Sequence, residues 1–327
     1  MKICVYGAGV IGGILASALA RAEHQVSLIA RGAHLEAIRA KGLTVVTPEE
    51  EVNNRLSASA DPRDFGVQDL VIVATKTPAF GDVARGISPM IGPQTLVGFA
   101  VNGIYWFYGD GFHPRNVTIN MVRLDPDDLL HSVIGAERSL GIVCWAGGEI
   151  NDPGVIETSR AGGRFVVGAA MPQMNDTVRQ LVETLGARDV TLEYAEDVRA
   201  PMWVKTINVI GNFGFCALTG GTIAEVHADR ALYDVLVELN AETHSVALAH
   251  GFTGLGFDAE TSRRNPSNSP HKPSMLQDLE RGRLMEISST FLIVQDLAAQ
   301  AGVKTPILDV IAPLIAARGR TAGLWSA

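Results

Sequence analysis

Cysteine is scarce in this chain of 327 residues: Cys4, Cys144 and Cys216 are the whole complement, each set singly in an apolar segment. An odd number at such spacing forms neither a disulfide framework nor a zinc knuckle, so they read as reduced core thiols. Charge is sparse as well, at 19% of residues with a formal net charge of -8. No Lys/Arg-rich stretch tracks a phosphate backbone, which argues against nucleic acid as a partner. Long apolar runs are also missing. Residues 70–74 and 96–101 are apolar, but both are far shorter than the ~20 residues of a membrane span. The chain starts Met1-Lys2-Ile3-Cys4-Val5-Tyr6-Gly7, which reads as a buried strand entering a turn rather than an export signal. These absences point to a soluble, cytoplasmic protein with no membrane partner.

What is present is apolar residue, at 47% of the chain, enough to fill a core in each of two ordinary domains. The first part alternates short β-rich runs (3–6, 26–30, 70–75, 96–101) with helical stretches (10–21, 34–41, 80–91), bounded by Gly, Pro and Asp. Such alternation with near-continuous apolar strands predicts a parallel sheet covered on both faces. Later strands at 141–145, 155–158, 165–168 and 190–192 follow one another mostly without helices, which suggests antiparallel pairing in part. After that the texture is helical, with stretches at 198–213, 231–250 and 284–301 and a polar loop at 263–273. The expected fold is therefore α/β, a doubly wound Rossmann-type sheet over residues 1–194 followed by an all-helical domain over 195–327.

Gly7-Ala8-Gly9-Val10-Ile11-Gly12 follows the first strand and opens the first helix, the context a dinucleotide fingerprint requires. Gly7 permits the tight turn, Gly9 the approach of a pyrophosphate, and Gly12 close helix-strand packing. The helix N-terminus offers free N–H groups and partial positive charge to phosphates. An ordinary Gly-rich turn is the competing reading. The second strand ends in Arg31, where NAD sites place a carboxylate. A guanidinium there can pair with a 2'-phosphate, so NADP is expected, against the alternative of a solvated surface arginine. Lys76 and Asn102-Gly103 end the third and fourth of these strands, on the carboxyl edge where ligands of doubly wound sheets bind.

Lys205, Asn208 and Asn212 sit amid apolar residues at offsets of three and seven, which keeps all three polar groups on one helix face. They could meet a ligand, or be a snorkelling lysine with interhelical amides. Ser274 with Gln277 forms a potential capping box at a helix start. Glu286 would ordinarily be a solvated helix charge.

Taken together, Gly7 to Gly12, Lys76, Asn102-Gly103, Trp203-Val204-Lys205, Ala217-Leu218-Thr219-Gly220, Ser274-Met275-Leu276-Gln277-Asp278 and Glu286 resemble the ketopantoate reductases (2-dehydropantoate 2-reductases) in order and spacing, over nearly the whole chain. That resemblance implies NADPH-dependent reduction of a 2-keto acid held between the domains, with no metal. Lys205 would be the catalytic lysine and Glu286 its partner, orienting it or bonding the forming hydroxyl. Asn208, Asn212, Ser274 and Asn102 would bind substrate. Gly7, Ala8, Gly9, Val10, Ile11, Gly12, Arg31, Lys76 and Asn102 would bind cofactor.

Two features depart from that family's pattern. The asparagines stand three and seven residues after the lysine rather than four and eight, and the aromatic run Tyr105-Trp106-Phe107-Tyr108 opens a longer segment, to Arg138, beside the ligand edge. The aromatics are either pocket lining or core. A bulkier keto or hydroxy acid as substrate, or a non-catalytic NADP-sensing protein, thus stand as alternatives. Helical second domains can pair, so a homodimer is compatible with the sequence.

Overall fold

A computed structural model of the chain describes residues 1–111, 119–158 and 162–326. Eleven strands and twelve α-helices follow in order among them: β1 (Lys2–Tyr6), α1 (Val10–Arg21), β2 (Gln25–Ile29), α2 (Gly32–Lys41), β3 (Leu43–Val46), β4 (Glu51–Asn54), β5 (Ser57–Ser59), β6 (Leu70–Val73), α3 (Phe80–Ile87), β7 (Leu96–Phe99), α4 (Leu129–Val133), β8 (Ser139–Trp145), β9 (Val155–Glu157), β10 (Arg164–Ala169), α5 (Asn175–Leu185), β11 (Thr191–Tyr194), then α6 (Arg199–Thr219), α7 (Ile223–Ala228), α8 (Arg230–Ala249), α9 (Ala259–Arg264), α10 (Ser274–Glu280), α11 (Ile293–Ala301) and α12 (Leu308–Thr321). No described helix is long and apolar enough to cross a membrane.

The main sheet has eight strands in the order β11-β10-β8-β7-β6-β1-β2-β5. From β5 to β8 every pairing is parallel, because helices or long loops return each strand to the same edge. The expected antiparallel pairing is confined to β8 with β10. β10 and β11 are parallel with α5 between them, whereas β8, β9 and β10 follow one another without a helix among the described residues, as expected for most of this stretch. β9 leaves the main sheet altogether and pairs with β3, which pairs with β4. This three-stranded sheet packs on α1: a Cβ on Gly13 would lie 2.0 Å from the Ile156 side chain.

In the helical part, α6 passes close to α8 and α12 because glycine stands at the crossings. A Cβ on Gly211 would lie 2.7 Å from Asn240 Oδ1, and one on Gly214 would lie 3.2 Å from Ile311. The last expected helix starts later than its periodicity suggests. Residues 283–286 are irregular, and a π-helical turn, Ser288–Leu292, leads into α11. Glu286 therefore stands in front of the helix instead of on its surface.

The aromatic run is core. Tyr105, Trp106, Phe107 and Tyr108 are each at most 1% exposed, with Tyr105 stacked on Phe107 and Trp106 edge-on to Phe99. The Tyr108 hydroxyl accepts from Trp203 Nε1 at 3.0 Å. Part of the long segment, residues 112–118, lies outside the described residues.

Candidate active site

The carboxyl ends of β1, β6, β7 and β8 assemble the site. At β1 the Gly-rich turn is tight: Gly7 has φ +110°, and its N–H reaches Ile29 O at 3.0 Å. A Cβ on Gly12 would lie 2.0 Å from Gly7 O, whereas one on Gly9 would meet nothing within 4 Å. The first position is closed by the turn's own backbone and the second is open, which is the room a pyrophosphate needs over a helix start. Val10 and Ile11 continue that first turn of α1, which carries no acidic residue, so nothing there repels a phosphate. Arg31 is exposed at the start of α2, and its charge acts on the hydroxyl of the buried Tyr6 against the upward push of burial.

At β6 and β7 the edge meets the helical domain. Lys76 forms an ion pair with the buried Asp278 of α10 and donates to Leu284 O at 3.2 Å. The next residue, Thr77, donates its N–H to Glu286 Oε1 at 3.2 Å, and Asn102 Nδ2 lies 3.5 Å from Oε2. Burial pushes the Glu286 carboxyl above the usual glutamate range, and these donors together with the charge of Lys76 only partly offset that.

At β8 the half-buried Lys205 of α6 donates its ammonium to the main-chain oxygen of Cys144. Burial lowers its pKa from the ordinary lysine value, and the Glu286 charge acts in the opposite sense. A cation that gives up its proton more readily than usual, within the field of a carboxyl that holds its proton more tightly than usual, is the electrostatic pattern of an acid-base pair.

The other expected residues lie apart from this pair. Asn208 is exposed and bonds back to Val204 O at 2.7 Å. Asn212 Oδ1 accepts from His227 Nε2 at 2.9 Å, the tautomer being fixed by Ser267 N–H on Nδ1. Ser274 opens α10, half-buried, but the expected capping box is not formed. Pro273 holds the N-cap position, and the Gln277 amide turns to Lys272 O at 3.0 Å. A proline there already presets the entry angle without a side-chain acceptor. The capping box in this domain is Thr222 with Glu225, on α7.

Comparison with known proteins shows the family. Residues 3–172 match the family model described as Ketopantoate reductase PanE/ApbA, and residues 197–319 its C-terminal counterpart. The chain belongs to the ketopantoate reductase family. It is 34% identical to a 2-dehydropantoate 2-reductase of Mesorhizobium japonicum, over 96% of this chain and 97% of that one. Among solved structures, a PanE/ApbA family ketopantoate reductase from Ralstonia eutropha aligns with TM-score 0.82 and 25% identity, covering 99% and 100% of the two chains. D-Mandelate dehydrogenase with NADH and anilino(oxo)acetate shares the fold, with TM-score 0.82 at 19% identity over 99% and 100% of the chains. As a ketopantoate reductase family member the chain is a nicotinamide-dependent oxidoreductase acting on CH–OH groups.

Sequence reasoning missed several residues at this site. Thr77 supplies a backbone donor and a hydroxyl that meets Ser289 Oγ at 3.0 Å, and Asp278 anchors Lys76. The signal for Thr77 was its following Pro78, which starts a short 3-10 turn and aims a free N–H outward. Asp278 stood in the motif from Ser274 to Asp278, but its pairing with Lys76 carried no signal, because a buried carboxylate on a short helix is indistinguishable in sequence from a surface one.

Proposed function

We propose that this chain reduces a 2-keto acid with NADPH, and that the substrate is 2-dehydropantoate, converted to pantoate. The observation that carries the reading is Lys205, a half-buried ammonium held on Cys144 O within the field of the buried Glu286, at the sheet edge that also bears the open Gly9 turn. Residues 1–194 would hold the cofactor through Gly7 to Gly12, Lys76 and Asn102, with Arg31 on the 2'-phosphate. Residues 195–327 would supply the acid.

Bound nicotinamide cofactor supplies the hydride to the carbonyl carbon. As the carbonyl oxygen gains charge, Lys205 stabilises it and delivers its proton, and the product is the hydroxy acid. Glu286 keeps Lys205 charged and directed. Asn102 holds Glu286 on one side and can turn its amide to the substrate. Ser274, Asn208 and Asn212 would bind the carboxylate, with Asn208 the freest because its bond to its own helix is easily exchanged. No metal enters this chemistry. The buried aromatic run takes away the motive for a bulkier substrate, and the lysine-carboxyl pair has no use in a pure NADP sensor. The free, buried cysteines agree with a cytoplasmic protein, and the helical half is the surface on which a homodimer would form.

The test is NADPH oxidation by the purified protein with ketopantoate, beside NADH and larger 2-keto acids. Rapid turnover specific to NADPH and ketopantoate is expected. Replacing Lys205 by Ala should lower turnover by about 10² or more, and near wild-type turnover in that variant would sink the assignment.

A further inference from the structure

His34 lies in the first turn of α2, half-buried against the Gly-rich turn. Its Nε2 is 2.7 Å from Ala8 O, and its Nδ1 is 2.9 Å from Gly154 N, in the loop that leads into β9. A backbone N–H can only donate, so Nδ1 is the bare nitrogen and Nε2 carries the hydrogen given to Ala8. The ring is thus a neutral link with a fixed tautomer, between the Gly-rich turn and the small sheet. Gly154 is itself anchored, accepting from Thr44 N at 2.9 Å, so the far end of the link does not move freely.

The consequence lies in the peptide that His34 holds. In a trans peptide the C=O and the following N–H point in opposite directions. With the Ala8 carbonyl tied to His34, the Gly9 N–H is turned the other way. The peptide joins Ala8 to Gly9, and a flip turns ψ of Ala8 and φ of Gly9, where glycine accepts either sign of φ. A flip therefore meets little steric resistance and would exchange a donor for a carbonyl dipole on the side where phosphates would lie.

We propose that His34 is a positioning residue of the cofactor turn: its imidazole holds the Ala8–Gly9 peptide in the orientation that presents the Gly9 N–H to the pyrophosphate. This rests on the reading of Gly7 to Gly12 as the cofactor site. Neither His34 nor Gly154 is part of the glycine fingerprint itself.

Two near-isosteres divide the bonds. In His34→Gln the amide nitrogen falls near Nε2 and can still donate to Ala8 O. In His34→Asn the amide oxygen falls near Nδ1 and keeps only the Gly154 bond. His34→Asn and His34→Ala should raise the Kd and KM for NADPH about tenfold, the worth of one lost hydrogen bond to a preorganised donor. Turnover at saturating NADPH and the KM for the keto acid should stay within about twofold, and His34→Gln should restore NADPH affinity to within about twofold of wild type. A merely structural role would not separate the two amides in this way. His34→Asn binding NADPH as tightly as wild type, or His34→Gln as weakly as His34→Ala, overturns the proposal. Gly9→Asp separates this from the underlying reading, because it puts a carboxylate into open space at φ -68°, where any residue folds but phosphates are repelled. Unchanged NADPH affinity in Gly9→Asp would mean that the turn is not the cofactor site. Lost affinity in Gly9→Asp beside wild-type affinity in His34→Asn would mean that the turn binds cofactor without help from His34.

Discussion

Lys205 has its pKa lowered by burial, and in its proposed role as proton donor this would set how activity depends on pH. An acid that donates its proton must be charged beforehand, so kcat/KM for reduction should fall on the alkaline side, with an apparent pKa below the ordinary lysine value of about 10.4. Lys205→Arg, whose cation does not titrate in this range, should lose that alkaline limb along with most of the activity. An alkaline limb unchanged in Lys205→Arg would assign it to another group. Glu286 gives the companion prediction for stability. Its pKa is raised by burial, so the folded state favours the protonated acid. The stability this contributes is complete below the ordinary glutamate pKa of about 4.3 and is lost as pH rises through the higher folded value. Glu286→Gln removes the buried charge while keeping an acceptor for Thr77 N–H. At pH 8 it should therefore raise Tm by about 2–4 °C while depressing turnover, and the Tm gain should vanish near pH 4. A Tm gain that persists into acid would mean that packing, rather than charge burial, is responsible.

At the level of elements, two polar anchors hold the segment between β7 and β8. His131 on α4 bridges Asp125 through Nδ1 and Asp110 through Nε2, both at 2.9 Å. Burial alone would lower its pKa, but the bonds to Asp125 and Asp110 outweigh it and raise the value. The anchor is at full strength below pH of about 6.5 and weakens as pH rises through the folded pKa, since a neutral ring can donate to only one of the two carboxylates. His131→Gln should thus lower Tm more at pH 6 than at pH 9, and an equal loss at both would rule out the charged bridge. Arg199, at the start of α6, is fully buried and donates to the carbonyls of Phe107, Tyr108, Asp110 and Ala170 while pairing with Asp197 at 3.2 Å. Arg199→Leu leaves those carbonyls and Asp197 uncompensated, and denaturant unfolding should show a loss of about 3–5 kcal/mol. Neither anchor was legible in the sequence, where Arg199 is one more charge among many. The turn from Gly7 to Gly12 was legible because its physics is local: a strand, three glycines and a helix start lie within one short stretch. β3, β4 and β5 went unread because they are short and half-exposed, and β9 was read as a strand without its partner β3, because partner choice is not a local property. Lys205 and Glu286 stood out only through the family resemblance, since the influence of the Glu286 charge on Lys205 depends on how α6 passes the end of β8.

On the scale of the whole molecule, one face of the sheet shares its interior with the helical half, while the other face has a cluster of its own, around Leu15, Leu28, Phe165 and Leu181. One apolar cluster runs from Val73, Phe80 and Phe99 through the aromatic run to Trp203, Phe291 and Leu297. A polar seam lies along it, where Lys76 meets Asp278 and Ile104 N–H donates to Ser289 O at 2.8 Å. Gly103 is the tightest point of that seam, with φ +82° and so close to the π-helical turn that a Cβ would lie 2.1 Å from Ser289 O. Domains joined by small polar interfaces unfold independently, whereas a shared apolar core makes the loss of one half expose the other. Calorimetry should accordingly show one transition, whose van't Hoff and calorimetric enthalpies agree. Gly103→Ala, which forces both a left-handed backbone on alanine and a clash with the Ser289 carbonyl, should move that whole transition down, by more than about 2 kcal/mol in stability. Two resolved transitions, only one of them sensitive to Gly103→Ala, would mean that the halves fold as separate units. The lysine and carboxyl would then be brought together by docking instead of by a common core.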